Sequence, residues 1–176
     1  MNTGQLLLMI AAMMLLSFIT LSVNSTILSS SDSLLESEAT VNALSVAQSM
    51  LDEIATKKFD EKTIIKRVFY ADSLTSPSLL GPELGEVYPN FDDIDDYNYF
   101  QEQNAKQVVT PRMGTFFVVD SIYYIPDPST TGYNFDYPQP YGTRTFYKKI
   151  VVEVSHPTSM PHPLRLEDLS VYHQSF

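Results

Sequence analysis

The chain has 176 residues, 44% of them apolar, no cysteine and a formal net charge of −10. A chain of this length suits one domain, or one domain with an appendage. The acidic balance excludes an extended nucleic-acid surface, which needs clustered Lys and Arg, and the lack of cysteine excludes disulfides, thiolate zinc sites and a cysteine nucleophile.

The first charged side chain is Asp32, and from Leu6 to Val23 the sequence reads LLLMIAAMMLLSFITLSV, broken only by Ser17, Thr20 and Ser22. As a helix those residues span roughly 27 Å, close to the hydrocarbon thickness of a bilayer. A retained membrane segment is the leading interpretation. A cleaved secretory signal is the competitor, although MNTGQ lacks basic residues and Val23-Asn24-Ser25 is a poor cleavage match. A buried core helix fits less well, because the whole circumference is apolar.

Beyond Gly4 no Gly occurs before Gly81 and no Pro before Pro77, so nothing obliges the helix to stop at Val23. Leu28, Leu35, Val41, Leu44, Ala47, Leu51 and Ile54 recur at helical spacings, with Asp32, Glu36, Glu38, Asp52 and Glu53 between them. Lys57 and Lys58 suit a helix C-terminus. The expected helix covers residues 5–58, and the Ser-rich NSTILSSSDS is its weak point.

Residues 72–102 form an acidic connector with eight acids and no Lys or Arg. Within it Asp92, Asp93, Asp95 and Asp96 offer the oxygen chemistry that Ca²⁺ takes, though not at EF-hand offsets. The plainer alternative is a solvated acidic turn anchored by Tyr97, Tyr99 and Phe100. Two strands are expected at Thr115–Ile125 and Thr143–Ser155, and a third at Leu169–Phe176. In the second strand Phe146, Ile150, Val152 and Val154 share one face with a lone cation, Lys148. The Pro-rich stretch 126–142 is expected to be an ordered surface loop. The fold class is therefore α+β, with a long helix whose Leu44, Leu51 and Ile54 stripe packs on a small antiparallel sheet.

A wholly apolar helical start that turns amphipathic resembles type IV pilins and the pseudopilins of type II secretion. Gly4-Gln5 stands where pilin precursors are cut. VNALSVAQSMLDEI (41–54), FDDIDDYNYF (91–100) and FYKKIVVEVSHP (146–157) are similar to segments of such proteins. The resemblance implies a leader of residues 1–4, processing between Gly4 and Gln5, and a filament whose core is the stretch 5–23 through Leu7, Met9, Met13, Leu16 and Ile19. It also implies other pilin-like subunits and the membrane as partners, an inner-membrane location with an extracytoplasmic head (residues 59–176), and no required cofactor. Met9 falls where the family commonly has Glu, which points to a minor subunit. A non-polymerising, membrane-tethered binding module, stabilised by Ca²⁺, is the alternative.

No G-x-S-x-G elbow, phosphate-binding Gly-rich loop or H-E-x-x-H helix occurs, and His156, His162 and His173 match no zinc spacing. A non-enzymatic role is the expectation.

Overall fold

The computed structural model describes residues 2–129 and 140–173. They form a helix α1 (Thr3–Ala55), a short helix α2 (Glu61–Ile65) and four strands: β1 (Lys106–Thr110), β2 (Gly114–Tyr124), β3 (Tyr147–Ser155) and β4 (Leu164–Val171). The chain divides into two units, Met1–Ala39 and Thr40–Phe176. The first is helical from Thr3 onward; the second, the head, holds residues 40–55 of α1 and everything after them.

The Ser-rich patch is helical throughout. Its hydroxyls fold back onto the preceding turn: Ser31 Oγ donates to the Ile27 carbonyl at 3.0 Å, Ser33 to Ser29 at 3.0 Å and Ser37 to Ser33 at 2.8 Å. Each competing donor is thus satisfied without opening the helix. The helix ends at Ala55 rather than at the expected Lys58. The backbone of Lys58 is recruited elsewhere, its N–H donating to the Asp92 carbonyl at 3.2 Å while its own carbonyl accepts from the Ile94 N–H at 2.9 Å.

In the head, the sheet order is β1-β2-β3-β4, with every neighbouring pair antiparallel. Ala43, Ala47, Met50, Leu51 and Ile54 are buried in one apolar core with Phe116, Val118, Ile122 and Tyr124 of β2 and Ile150, Val152 and Val154 of β3. The positions 43, 47, 50 and 54 are a single helical face, and its alanines let a backbone approach the sheet closely. Leu44, expected in that stripe, is 46% exposed because it sits about 100° around the helix from Ala43.

The two aromatic, β-branched runs form β2 and β3; β2 alternates along its length, whereas the alternation expected of β3 fails from Lys148 to Val152, where Lys149 and Val151 on the other face are buried as well. β3 starts at Tyr147, later than expected, because Thr145 is held in the preceding turn by its Oγ1, which donates to the Ile125 carbonyl at 2.6 Å. Two corrections concern the sheet edges. β1 was not anticipated; it is short, and only alternate residues are partly buried. It joins β2 through a tight turn closed by Gly114, whose φ of 85° favours glycine. β4 occupies residues 164–171, earlier than the expected 169–176, because Leu164 and Leu166 are the side chains that reach the core. Residues 174–176 of that expected strand, and residues 130–139 of the expected Pro-rich loop, lie outside the described residues.

Candidate functional site

In the N-terminal unit, the residues expected to mediate assembly are all exposed: Leu7, Met9, Met13, Leu16 and Ile19 lie between 51% and 70% accessible. So are Leu8, Met14, Leu15 and Phe18, so the apolar surface surrounds the helix rather than forming a stripe. Among the described residues, α1 is one helix long and apolar enough to cross a membrane, with a mean hydropathy of 2.5 over its best window. Gly4 and Gln5 lie in its first turn, where the Gln5 N–H donates to the Asn2 carbonyl at 2.9 Å.

The four aspartates of the acidic segment are put to different uses. Asp93 Oδ1 accepts from the N–H groups of Asp95 at 2.7 Å and Asp96 at 3.2 Å, nucleating a 3-10 turn over Asp95–Tyr99. Asp96 Oδ2 accepts from the N–H groups of Asp92 at 3.0 Å and Asp93 at 3.3 Å. Asp95 turns into the core. Asp92 is exposed and has Asp96 and Glu86 beside it. The aromatic anchors separate likewise: Tyr97 and Phe100 are buried, edge-on to Phe91 and Tyr88, whereas Tyr99 is 45% exposed.

Asp95 is matched by Lys148, the cation on the apolar face of β3. Lys148 is fully buried, and its Nζ donates to Asp95 Oδ1 at 2.8 Å and Oδ2 at 2.7 Å, to Asp60 Oδ2 at 2.9 Å and to the Phe59 carbonyl at 2.9 Å. It also stands over the rings of Phe59, at 4.6 Å, and Tyr124, at 4.8 Å. Asp60 is the node of this network. Its carboxylate accepts from the Lys62 N–H, the Thr75 N–H and hydroxyl, and the Tyr124 hydroxyl, all between 3.0 and 3.2 Å. It caps α2 at the same time, with Thr63 completing a capping box. Burial opposes charge on Asp60, but Lys148 and these donors outweigh it and hold its carboxyl below the usual range. Burial dominates at Asp95 and pushes it up to about 7 against the pull of Lys148.

The sequence alone flags Lys148 as needing a buried acid, yet offers 21 candidates. Asp60 was missed; its position directly before a short helical stretch with Thr63 at the third site was the available signal.

A second polar centre is built on Glu53. Glu53 accepts from the Tyr97 hydroxyl at 2.8 Å and from Lys106 Nζ at 3.3 Å. Nearby Asp120 is fully buried, and neither carboxylate oxygen has a hydrogen-bond partner among the described residues. Burial pushes Asp120 up to about 8, with Lys106 pulling it back and Glu53 pushing it further. Asp93 also rises to about 8, from burial first and then from Asp95 and Asp96. His156 is a structural residue, its Nε2 within 2.7 Å of the Met113 carbonyl.

Comparison with protein-family models, with curated proteins and with solved structures finds no match to this chain.

Proposed function

We propose that this chain is a structural subunit of a type IV pilus-like or pseudopilus filament, held before assembly in the inner membrane with its head on the extracytoplasmic side. One observation carries the proposal. Every large apolar side chain from Leu6 to Val23 is exposed, and no charge interrupts them. Such a surface is stable only in lipid or against other apolar helices. In a filament, the stretch leaves the bilayer and packs against copies of itself. The contact is heterologous, one patch meeting a different patch on the next subunit, so it extends rather than closes. Met9, in place of the acid common in the family, suits a minor subunit.

Two measurements test this. Mass analysis of the native N-terminus should find a chain beginning at methylated Gln5. Leu16→Asp places a charge in the middle of the apolar stretch and should abolish assembly; normal filaments from that variant would refute the proposal. An intact N-terminus in a protein that never polymerises would instead favour a tethered binding module.

A further inference from the structure

Lys148 is a primary amine shut inside the head with carboxyl groups against it. The side chains of Lys148, Asp95 and Asp60 are all buried, and the rings of Phe59 and Tyr124 stand 4.6 and 4.8 Å from the amine, so bulk water is kept from it. Two acids reach the same nitrogen: Nζ donates to Asp95 Oδ1 at 2.8 Å and Oδ2 at 2.7 Å, and to Asp60 Oδ2 at 2.9 Å. An amine this close to both oxygens of Asp95 is also at near-attack range, about 3 Å, of the carbon that joins them. The terminal torsion of an aspartate is soft, so a rotation of the carboxyl turns the face of that carbon to the amine.

The two acids are held differently. Burial opposes charge on Asp60, but Lys148, the N–H groups of Lys62 and Thr75 and the Tyr124 hydroxyl favour it, so this group stands ready to accept a proton. Among the described residues, the Asp95 oxygens bond to Nζ alone. Burial pushes Asp95 up to about 7, and a carboxyl that holds its proton is the better electrophile. Three ionisable groups in a dry core carry a desolvation cost, which a neutral amide in place of two of them removes.

We propose that Lys148 Nζ and Asp95 Cγ condense into an intramolecular amide bond, with Asp60 as the catalytic proton acceptor. Asp60 Oδ2 takes one proton from the ammonium of Nζ. The freed lone pair forms the C–N bond at Cγ of the protonated Asp95 carboxyl. The C–O bond to its hydroxyl breaks, and the hydroxyl leaves as water with a second proton from Nζ. One hydrogen stays on the amide nitrogen and Asp60 keeps the proton it took, so atoms and charge balance without an oxidant or a co-reactant. Effective molarities of well-oriented internal reactions reach about 10⁵–10⁸ M, which favours condensation where water is excluded. The bond ties β3 to the turn Asp95–Tyr99 across 53 residues of chain. The inference is independent of whether the chain polymerises.

Peptide mapping of the purified full chain by tandem mass spectrometry tests this whatever the state of the N-terminus. Asp95 and Lys148 should lie in one branched peptide, lighter than its two linear parts by one water, about 18 Da. Asp60→Asn keeps the side-chain shape and removes the proton acceptor, so linkage in newly synthesised chain should slow by about a hundredfold or more. Lys149→Arg, which changes the neighbouring lysine that pairs with Glu167, should link as wild type does. A folded wild-type chain whose Asp95 and Lys148 peptides are both linear would overturn the proposal, and so would wild-type linkage in Asp60→Asn. The wild-type map decides the matter even where Asp60→Asn does not fold.

Discussion

Residues 3–39 and the head place their side chains in opposite ways. The first set exposes leucine, methionine and phenylalanine and buries almost nothing; the second buries an apolar core and, with it, Lys148, Asp60, Asp93, Asp95, Asp96 and Asp120. The helix needs no tertiary partner, because every backbone group within it bonds along its own axis and its hydroxyls bond the preceding turn. Its apolar surface leaves it dependent on a second medium, lipid or protein. The head supplies its own medium, and there the difficulty is charge: each buried ion must be met by a counter-ion, a set of donors or a proton.

The sharpest way to break this contrast is Lys148→Ala. It strands Asp60 and Asp95 without their counter-charge, and unfolding by denaturant should show a loss of about 3–5 kcal/mol, the cost typical of breaking a buried pair. The counterpart in the helix, Leu16→Asp, should cost about 3 kcal/mol of membrane insertion while leaving the head's unfolding midpoint unchanged. A shifted midpoint would mean that the two regions are not energetically separate. Ala47→Leu tests the close approach of helix and sheet: overfilling that contact should destabilise the head by roughly 1–3 kcal/mol.

The smallest effect concerns pH. Folding raises the carboxyls of Asp93 and Asp120 to about 8, against roughly 3.9 in the unfolded chain. The folded state therefore holds protons that the unfolded state has released. Stability should be highest near pH 4–5 and fall as pH rises toward about 8. Asp60 acts oppositely: its lowered carboxyl stabilises the fold above the unfolded value and loses that contribution as acid protonates it. Asp120→Asn keeps the shape and removes one of the raised groups, so its melting temperature should vary less with pH between 5 and 8. An unchanged pH profile would show that Asp120 is not protonated in the fold.

What was legible in the sequence follows period and composition. The long helix shows in the uninterrupted run without Gly or Pro, and β2 and β3 show in their density of branched and aromatic residues. β1 is edge-placed and half polar, so its pairing with β2, not its own residues, makes it a strand. Leu44 against Ala43 is a similar case, because a helical period tolerates either phase until a sheet chooses the face that lets backbones approach.

Charge divides along the same line. That the first 31 residues carry none, and that the 72–102 connector is wholly acidic, is determined by the sequence alone, and it suffices to separate an apolar helical start from a head that carries most of the charge. Which acids are caps or counter-ions is not, since Asp92, Asp93, Asp95 and Asp96 are chemically alike and nearly adjacent. Only the tertiary structure distinguishes them, by turning Asp95 toward a lysine 53 residues away and Asp96 toward Glu86. A carboxylate's role is fixed by the charge that meets it, and distant parts of the chain supply that charge.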